Sequence, residues 1–306
     1  MNPRHGFNLH LLRVFVAVVE HNGFSRAAEA LFVSQSAVSK ALRELETQLD
    51  LPLVDRSGGR GVRLTEGGQA LYRHARGIFA MERAAMDEVR ERVGLRRGGL
   101  RVGASTTVAA YWLAEMFARH VARHPQLDSA LVVGNTEDVS TALLDCSIDA
   151  GFVEGPSHDE RIVATRWCDE PLQAVVSAAS PLGAQRRASV KQLAGQRWLV
   201  REPGSGTREV ARALLGARGI VVRRTLEIGS NEAIARVVAA GDGVAILPAA
   251  VVADLIAVGR LRALALPPGP PLQRPLYRLE LVNRPRSPAL SAFLEVLEDG
   301  HPPALP

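Results

Sequence analysis

Along residues 1 to about 93, apolar side chains recur every third or fourth position, the spacing of helices that turn one face to a core. A first helix is predicted over 8–21, with Leu12, Phe15, Val16 and Val19 on one face and Asn22-Gly23 as its stop signal. Residues 24–49 read as two short helices meeting at a tight turn. The first has Ser25 as its expected N-cap and buries Ala27, Ala28 and Leu31; the second follows Ser34 as N-cap and buries Val38, Leu42, Leu45 and Leu49. Two short β-prone pieces around a Gly-rich turn follow, and from Thr65-Glu66 to about Val93 a long helix carries the stripe Leu71, Ala75, Ile78, Met81, Ala85 and Val89. Gly94 to Gly99 reads as a linker. Beyond it the pattern changes to short aliphatic runs alternating with helical stretches. Strands are expected near 100–105, 130–134, 150–154, 162–167, 172–177, 197–201, 225–228, 244–247 and 276–282. Helices are expected near 107–123, 137–145, 189–194, 207–218, 231–240, 249–257 and 288–299. This is α/β with mainly parallel sheets, in two subdomains with a cleft between them, the chain crossing near Cys168–Pro171 and near Pro267–Pro275.

The polar face of the helix after Ser34 carries the first functional signal. Gln35, Ser36, Ser39, Lys40 and Arg43 share it, with no carboxylate before Glu44. Amides and hydroxyls near a helix start can read base edges in a major groove, and the cations can meet phosphates or guanine. The small residues of the preceding helix permit the close approach a helix-turn-helix needs. The Gly-rich turn resembles a wing whose Arg56, Arg60 and Arg63 would press on the DNA backbone or enter a minor groove. A solvated face in another small helical domain, and an ordinary basic loop, fit the same residues taken alone. The long single-striped helix suits a partner copy, so a homodimer is expected.

Composition narrows the picture. The chain has 306 residues, 47% hydrophobic, with a net charge of +5. Residues 1–99 hold 15 basic and 11 acidic side chains against 22 and 21 in the rest, so the positive excess sits with the helical region, as a nucleic-acid contact requires. Cys146 and Cys168 lie in segments that read as buried helix and strand, and are expected to be inert core thiols. No signal-peptide pattern and no membrane-length apolar run is evident, so the cytoplasm is the expected location and no membrane partner is expected.

In the second region, three helix starts suit a small anion. Gly103-Ala-Ser-Thr-Thr107, Glu202-Pro-Gly-Ser-Gly-Thr-Arg208 and Gly229-Ser-Asn-Glu232 each offer backbone N–H groups, hydroxyls and a helix dipole at a strand's C-terminal end. An ordinary capped helix explains any one of them; three together favour a ligand cleft. Catalytic patterns are lacking: there is no Gly-x-Ser-x-Gly and no phosphate-loop lysine, and Gly241-Asp-Gly243 lacks the third glycine of a dinucleotide fingerprint. His120 and His124 have metal-like spacing without further ligands, and are expected on a solvated helix face. Glu154 and Glu202 are expected to position a ligand rather than to act as acid and base. No catalytic residue, metal or cofactor is expected.

Several runs carry a family resemblance. Leu12-Arg-Val-Phe-Val-Ala-Val-Val-Glu20, Gly23-Phe-Ser-Arg-Ala-Ala-Glu-Ala-Leu31, Ser34-Gln-Ser-Ala-Val-Ser39, Leu42-Arg-Glu-Leu-Glu46 and Leu64-Thr-Glu-Gly-Gly68 are similar to the LysR-type transcriptional regulators, densely over about the first 70 residues. Departures are Val54 where Phe is usual, Gly67 where Ala is usual, and a Gly-rich wing at Ser57–Gly61. The resemblance implies an α plus α/β protein. A winged helix-turn-helix occupies 1–65 and a dimerising linker helix 66–94. A periplasmic-binding-protein-like effector domain follows, with 99–167 and 268–306 as one subdomain and 168–267 as the other, commonly assembled as a homotetramer. It implies that Gln35, Ser36, Ser39 and Lys40 touch bases or phosphates and that Arg56 is a wing arginine; Arg43 and Arg60 complete the expected DNA-binding set.

Gly103–Thr107, Gly134-Asn-Thr136, Gly151-Phe-Val-Glu-Gly155 and Arg201–Arg208 resemble, more loosely, the subgroup that regulates sulfite or cysteine metabolism. That implies a small inorganic or organic anion held among Ser105, Thr106, Thr107, Glu154, Arg201, Gly204, Ser205, Gly206, Thr207 and Ser230. The expected partners are double-stranded DNA at an inverted repeat, the anion, a second copy through 66–94, and RNA polymerase. The alternative from another class is an enzyme acting on a small anionic substrate in the same cleft.

Overall fold

The computed structural model describes residues 8–55, 61–92, 99–155, 159–185 and 187–299. Arg56, Arg60, the rest of the expected wing turn through 60, and the linker reading at 94–98 lie outside the described residues. The chain divides into two compact units, Met1–Ala85 and Met86–Pro306.

In the first unit, Asn8 opens α1 (Leu9–Glu20) by accepting from the backbone N–H groups of His10 and Leu11. The next helix, α2 (Phe24–Ala30), starts directly after Gly23 with no side-chain cap, which corrects the sequence reading. The chain reverses through Asn22 in the left-handed region (φ 47°), so the helix begins before Ser25, which lies inside the first turn. Ser34 does cap α3 (Gln35–Leu49), its hydroxyl accepting from Ala37 N at 3.2 Å. Val38, Leu42 and Leu45 are buried beneath α3; Leu49 is half-buried against the same core as Leu12 and Phe15. Burying each of these aliphatic side chains stabilises the unit by about 1.5–3 kcal/mol. A two-stranded antiparallel hairpin follows, β1 (Val54–Asp55) with β2 (Arg63–Leu64). Glu46 fixes its entry by accepting from Leu53 N and Val54 N, and Asn22 fixes its exit by accepting from Val62 N. Thr65 then opens α4 (Glu66–Arg92), its hydroxyl accepting from Gly68 N. A Cβ on Gly68 would lie 2.0 Å from the Leu53 carbonyl oxygen, so only glycine lets the helix pass this close to the chain entering the hairpin.

The second unit is built on one path of strands in the order β4-β3-β5-β11-β6-β9-β7-β8, with β10 added beside β6. These are β3 (Gly99–Ser105), β4 (Asp128–Gly134), β5 (Ala150–Glu154), β6 (Ile162–Ser177), β7 (Arg197–Val200), β8 (Arg224–Glu227), β9 (Val244–Pro248), β10 (Leu261–Ala263) and β11 (Gln273–Leu281). The helices are α5 (Ala114–Arg123), α6 (Thr136–Leu144), α7 (Val190–Ala194), α8 (Gly206–Gly216), α9 (Asn231–Ala239), α10 (Ala249–Ala257) and α11 (Pro288–Asp299). β3 runs parallel to β4 and β5, and β7 parallel to β8 and β9. The two runs expected at 162–167 and 172–177 are one strand, β6: its first part pairs antiparallel with β11 and its last residues with β9 and β10. The two ends of the sheet are therefore parallel, as expected, but the strands that join them are antiparallel. β10 was not anticipated. The helix expected over 107–123 opens as a π-helical turn, Val108–Leu113, before α5. One core packs around β3, β5, α5 and α11 (Leu100, Val102, Phe152, Phe293), and a second around β6, β7 and β9 (Val176, Trp198, Val244, Ile246).

Candidate functional sites: an exposed helix face and a buried polar cluster

On α3, Gln35, Ser36, Lys40 and Arg43 are exposed and Ser39 is half-buried. Ser36 lies 2.9 Å from the capping Ser34 hydroxyl. Neither Lys40 nor Arg43 has an ion pair among the described residues, so both charges face solvent without a protein counter-ion. Phe32, in the turn before Ser34, is 96% exposed with a left-handed φ of 56°. Arg63 of β2 is exposed as well.

In the second unit the three helix starts meet. Ser105 ends β3 and is buried; its hydroxyl accepts from Val108 N at 3.4 Å. Thr106 accepts from Arg201 Nη1 at 3.4 Å. Buried Thr107 accepts from Asn231 Nδ2 at 2.8 Å. Across from it, Thr207 in the first turn of α8 accepts from Asn231 Nδ2 at 3.5 Å and from Arg274 Nη1 at 2.6 Å. In each case the described bonds use the oxygen as acceptor and leave the hydroxyl hydrogen available to donate. Ser205 is buried ahead of α8 without a side-chain capping bond.

Glycines let the parts come this close. Gly204 has φ 81°, and its carbonyl accepts from Glu137 N of α6. A Cβ on Gly206 would lie 2.0 Å from the Glu154 carbonyl oxygen, so α8 can start against the end of β5 only with glycine there. Thr136 lies between the two, accepting from Gly206 N at 3.2 Å and donating toward Glu154 Oε2 at 3.4 Å. Ser230 caps α9, accepting from Ala233 N and donating to Glu232, and shares no described bond with the other site residues.

The floor is a buried ion cluster that the sequence did not announce. Arg274 and Glu170 are register partners on β11 and β6, both 0% exposed. Arg274 Nε donates to Glu170 Oε2 at 2.5 Å, and Arg274 Nη2 lies 3.0 Å from Glu154 Oε1. Trp112 Nε1 donates to Glu170 Oε1 at 2.8 Å. Burial strips water from Glu170 and raises its pKa, an effect that Arg274 and the Trp112 bond offset in part. Arg201 is buried and closes a two-point fork onto Glu202 at 2.8 Å. Desolvation raises the Glu202 carboxyl, but its Arg201 bonds outweigh that and hold it below the ordinary range.

Two expectations are corrected. His120 is not on a solvated face: it is fully buried, 5.4 Å from the Phe293 ring where α5 meets α11, and neither ring nitrogen has a hydrogen-bond partner among the described residues. Desolvation, helped by His124, lowers its pKa to about 4. Cys146 lies in the turn after α6 with a left-handed φ of 54° rather than inside the helix, and both cysteines are half-buried, with neither in a disulfide among the described residues. The Cys168 thiol is pushed up to about 12 by burial and by Glu170 and Asp169, which leaves it protonated and unreactive. Among the described residues no cluster of three or more metal-ligating side chains occurs, and no helix is long and apolar enough to cross a membrane.

Comparison with known proteins gives two family matches. Residues 9–69 match the model described as bacterial regulatory helix-turn-helix protein, lysR family, and residues 94–302 match the LysR substrate binding domain. The uncharacterized HTH-type transcriptional regulator YeiE of Escherichia coli (strain K12) is 37% identical over 295 residues, spanning 96% of this chain and 98% of that protein. The HTH-type transcriptional regulator CysL of Bacillus subtilis (strain 168) is 30% identical over 247 residues, 80% of this chain and 82% of its own length. Among solved structures, full-length CbnR complexed with its target DNA superimposes with a TM-score of 0.65 at 22% identity, covering 96% of this chain and 99% of that one.

Proposed function

The chain belongs to the LysR family of DNA-binding transcriptional regulators, with a helix-turn-helix and an effector-binding domain, and on that premise we propose how it reads DNA and what it senses. In this reading it works in the cytoplasm as a homodimer joined through residues 66–94, the helix-turn-helix occupying 1–65, and two dimers pair into a homotetramer. Gln35, Ser36 and Ser39 of α3 meet base edges or phosphates in the major groove; Lys40 and Arg43 neutralise phosphates or meet guanine. Arg56 and Arg60 complete the contact from the wing. CbnR, a solved structure of the same fold, is complexed with its target DNA, which supports DNA as the partner. RNA polymerase is the downstream partner.

The effector is a small anion held where Ser105, Thr106, Thr107, Ser205 and Thr207 converge, between residues 99–167 with 268–306 on one side and 168–267 on the other. One observation carries this: four hydroxyls, those of Ser105, Thr106, Thr107 and Thr207, have their oxygens engaged by donors and their hydrogens free. Such hydroxyls, beside two helix starts, are donors in search of an acceptor. The loose resemblance to regulators of sulfite or cysteine metabolism, with CysL among the relatives, puts sulfite first among the anions. Occupancy shifts the two sides of the cleft relative to one another and so alters DNA binding. Nothing in the comparisons favours the enzyme alternative, and the buried carboxylates of Glu154 and Glu170 are paired with Arg274.

Thermal-shift measurements on the full chain with sulfite, sulfate, phosphate and small carboxylates test the effector assignment. Stabilisation by at least one of these anions, lost in Thr207→Val, is the expected result. Absence of stabilisation by all of them removes the anion assignment.

A further inference from the structure

The cleft offers more acceptors than an ordinary anion can use. Glu154 and Glu170 share the single guanidinium of Arg274, and all three groups are buried. Arg201, the other buried cation, is already held by Glu202. Three carboxylates thus face two guanidiniums before any ligand arrives, and a fully deprotonated anion would add buried negative charge to a set that has no cation to spare. Asn231 is 0% exposed, donates from Nδ2 toward Thr107 and Thr207, and has no partner for its Oδ1 acceptor among the described residues. A buried acceptor without a partner asks for a hydrogen.

We propose that the cleft selects an oxyanion that still carries an exchangeable hydrogen, with Asn231 Oδ1 accepting that hydrogen while Thr107, Thr207 and Arg274 donate to the remaining oxygens. The inference rests on the anionic-effector reading and narrows its chemical class. Hydrogen sulfite and hydrogen phosphate qualify, and sulfate does not. Sulfate brings only acceptors, so it would leave Asn231 Oδ1 unpaired and add a second negative charge to a cluster that already holds more carboxylates than guanidiniums. Sites that hydrogen-bond a ligand's O–H reject the analogue lacking it far more strongly than apolar pockets reject a missing methylene. The charged and titratable groups around the pair are Arg274 on β11, Cys168 and Asp169 beside Glu170 on β6, Arg201 with Glu202 after β7, and Glu137 on α6 against Gly204. The raised pKa of Glu170, caused first by burial, fits a cluster that resists further negative charge.

Isothermal titration of the full-length protein with sodium sulfite, phosphate and sulfate, near pH 6 and again near pH 8, tests the inference. Sulfate is expected to bind at least about 100-fold more weakly than sulfite. Sulfite is expected to weaken about tenfold between the two pH values, with net proton uptake at the higher one read from buffers of different ionisation enthalpy. In Glu154→Gln, which removes one of the buried carboxylates that oppose a second negative charge, the sulfite-to-sulfate gap should close to about tenfold or less. The wild-type arms stand without that variant if it fails to fold. Equal, pH-independent binding of sulfite and sulfate overturns this inference and leaves the anion reading intact. If none of the three anions binds, the anion reading falls and this inference with it.

Discussion

The face of α3 and the buried cluster of the second unit are both polar, but they are built in opposite ways. Lys40 and Arg43 stand exposed, without ion pairs among the described residues. Their whole interaction capacity is open to a polyanion, and the fold does not depend on them. In the second unit, Arg274, Glu170, Glu154, Thr207 and Asn231 are buried and mutually bonded, so the residues that would meet the proposed ligand also hold β6, β11 and α8 together. In the proposed reading, the exposed face can therefore change its specificity at little structural cost, whereas the buried cluster couples ligand to architecture. Such coupling is what would let binding shift the shape of the unit.

The strongest way to break this contrast is at Arg274. Arg274→Ala leaves two carboxylates in the interior without their cation and should cost about 3–5 kcal/mol of unfolding free energy. Chemical denaturation of the purified chain measures it; a loss below about 1 kcal/mol would mean that the cluster does not support the fold. Gly206→Ala comes next. Its Cβ meets the Glu154 carbonyl, a backbone atom that cannot rotate away, and about 2–3 kcal/mol of stability should go, together with anion-induced thermal stabilisation.

His120 sharpens the contrast from a third place, because it is buried like the cleft yet unpartnered like the face. Its folded pKa of about 4 lies below the ordinary 6.5, so the unfolded chain takes up the proton first as pH falls. Its contribution is fully present above about pH 6.5 and is lost progressively toward pH 4, on the order of 2–3 kcal/mol. His120→Leu should flatten that part of the stability profile, as read by melting temperature against pH. The smallest expected effect is on the face itself. Lys40→Ala should weaken DNA binding about tenfold and lower the salt dependence by about one phosphate contact, with stability unchanged within about 0.5 kcal/mol. Unaltered DNA affinity would remove Lys40 from the contact surface.

How legible each region was follows from the distance over which its residues cooperate. The α3 face is written within nine positions, Gln35 to Arg43, where helical period and a capping serine are local properties. Ser25 misled because the left-handed residue Asn22 places the helix start, and intrinsic capping preference does not reveal that. In the second unit, the hydroxyls of Ser105, Thr107 and Thr207 were legible as helix starts. Arg274 and Glu170 were not: they lie 104 positions apart and meet only through the antiparallel register of β6 with β11. Asn231 was legible as part of a helix start, but not as the bridge between Thr107 and Thr207. His120 has the sequence spacing of a surface pair, and only the packing of α5 on α11 buries it.

The sequence by itself determined the helices, their caps at Ser34 and Thr65, and the exposed polar face of α3 with its cations, since these depend on neighbours within a few residues. Only the tertiary structure decided that β6 is one strand, that β11 returns beside it, and that Arg274 is shared by two buried carboxylates under Thr207. The reason is physical: helix period and capping are short-range preferences of the chain, while burial, charge pairing and an orphaned acceptor such as Asn231 Oδ1 exist only once distant segments have excluded water from the same place.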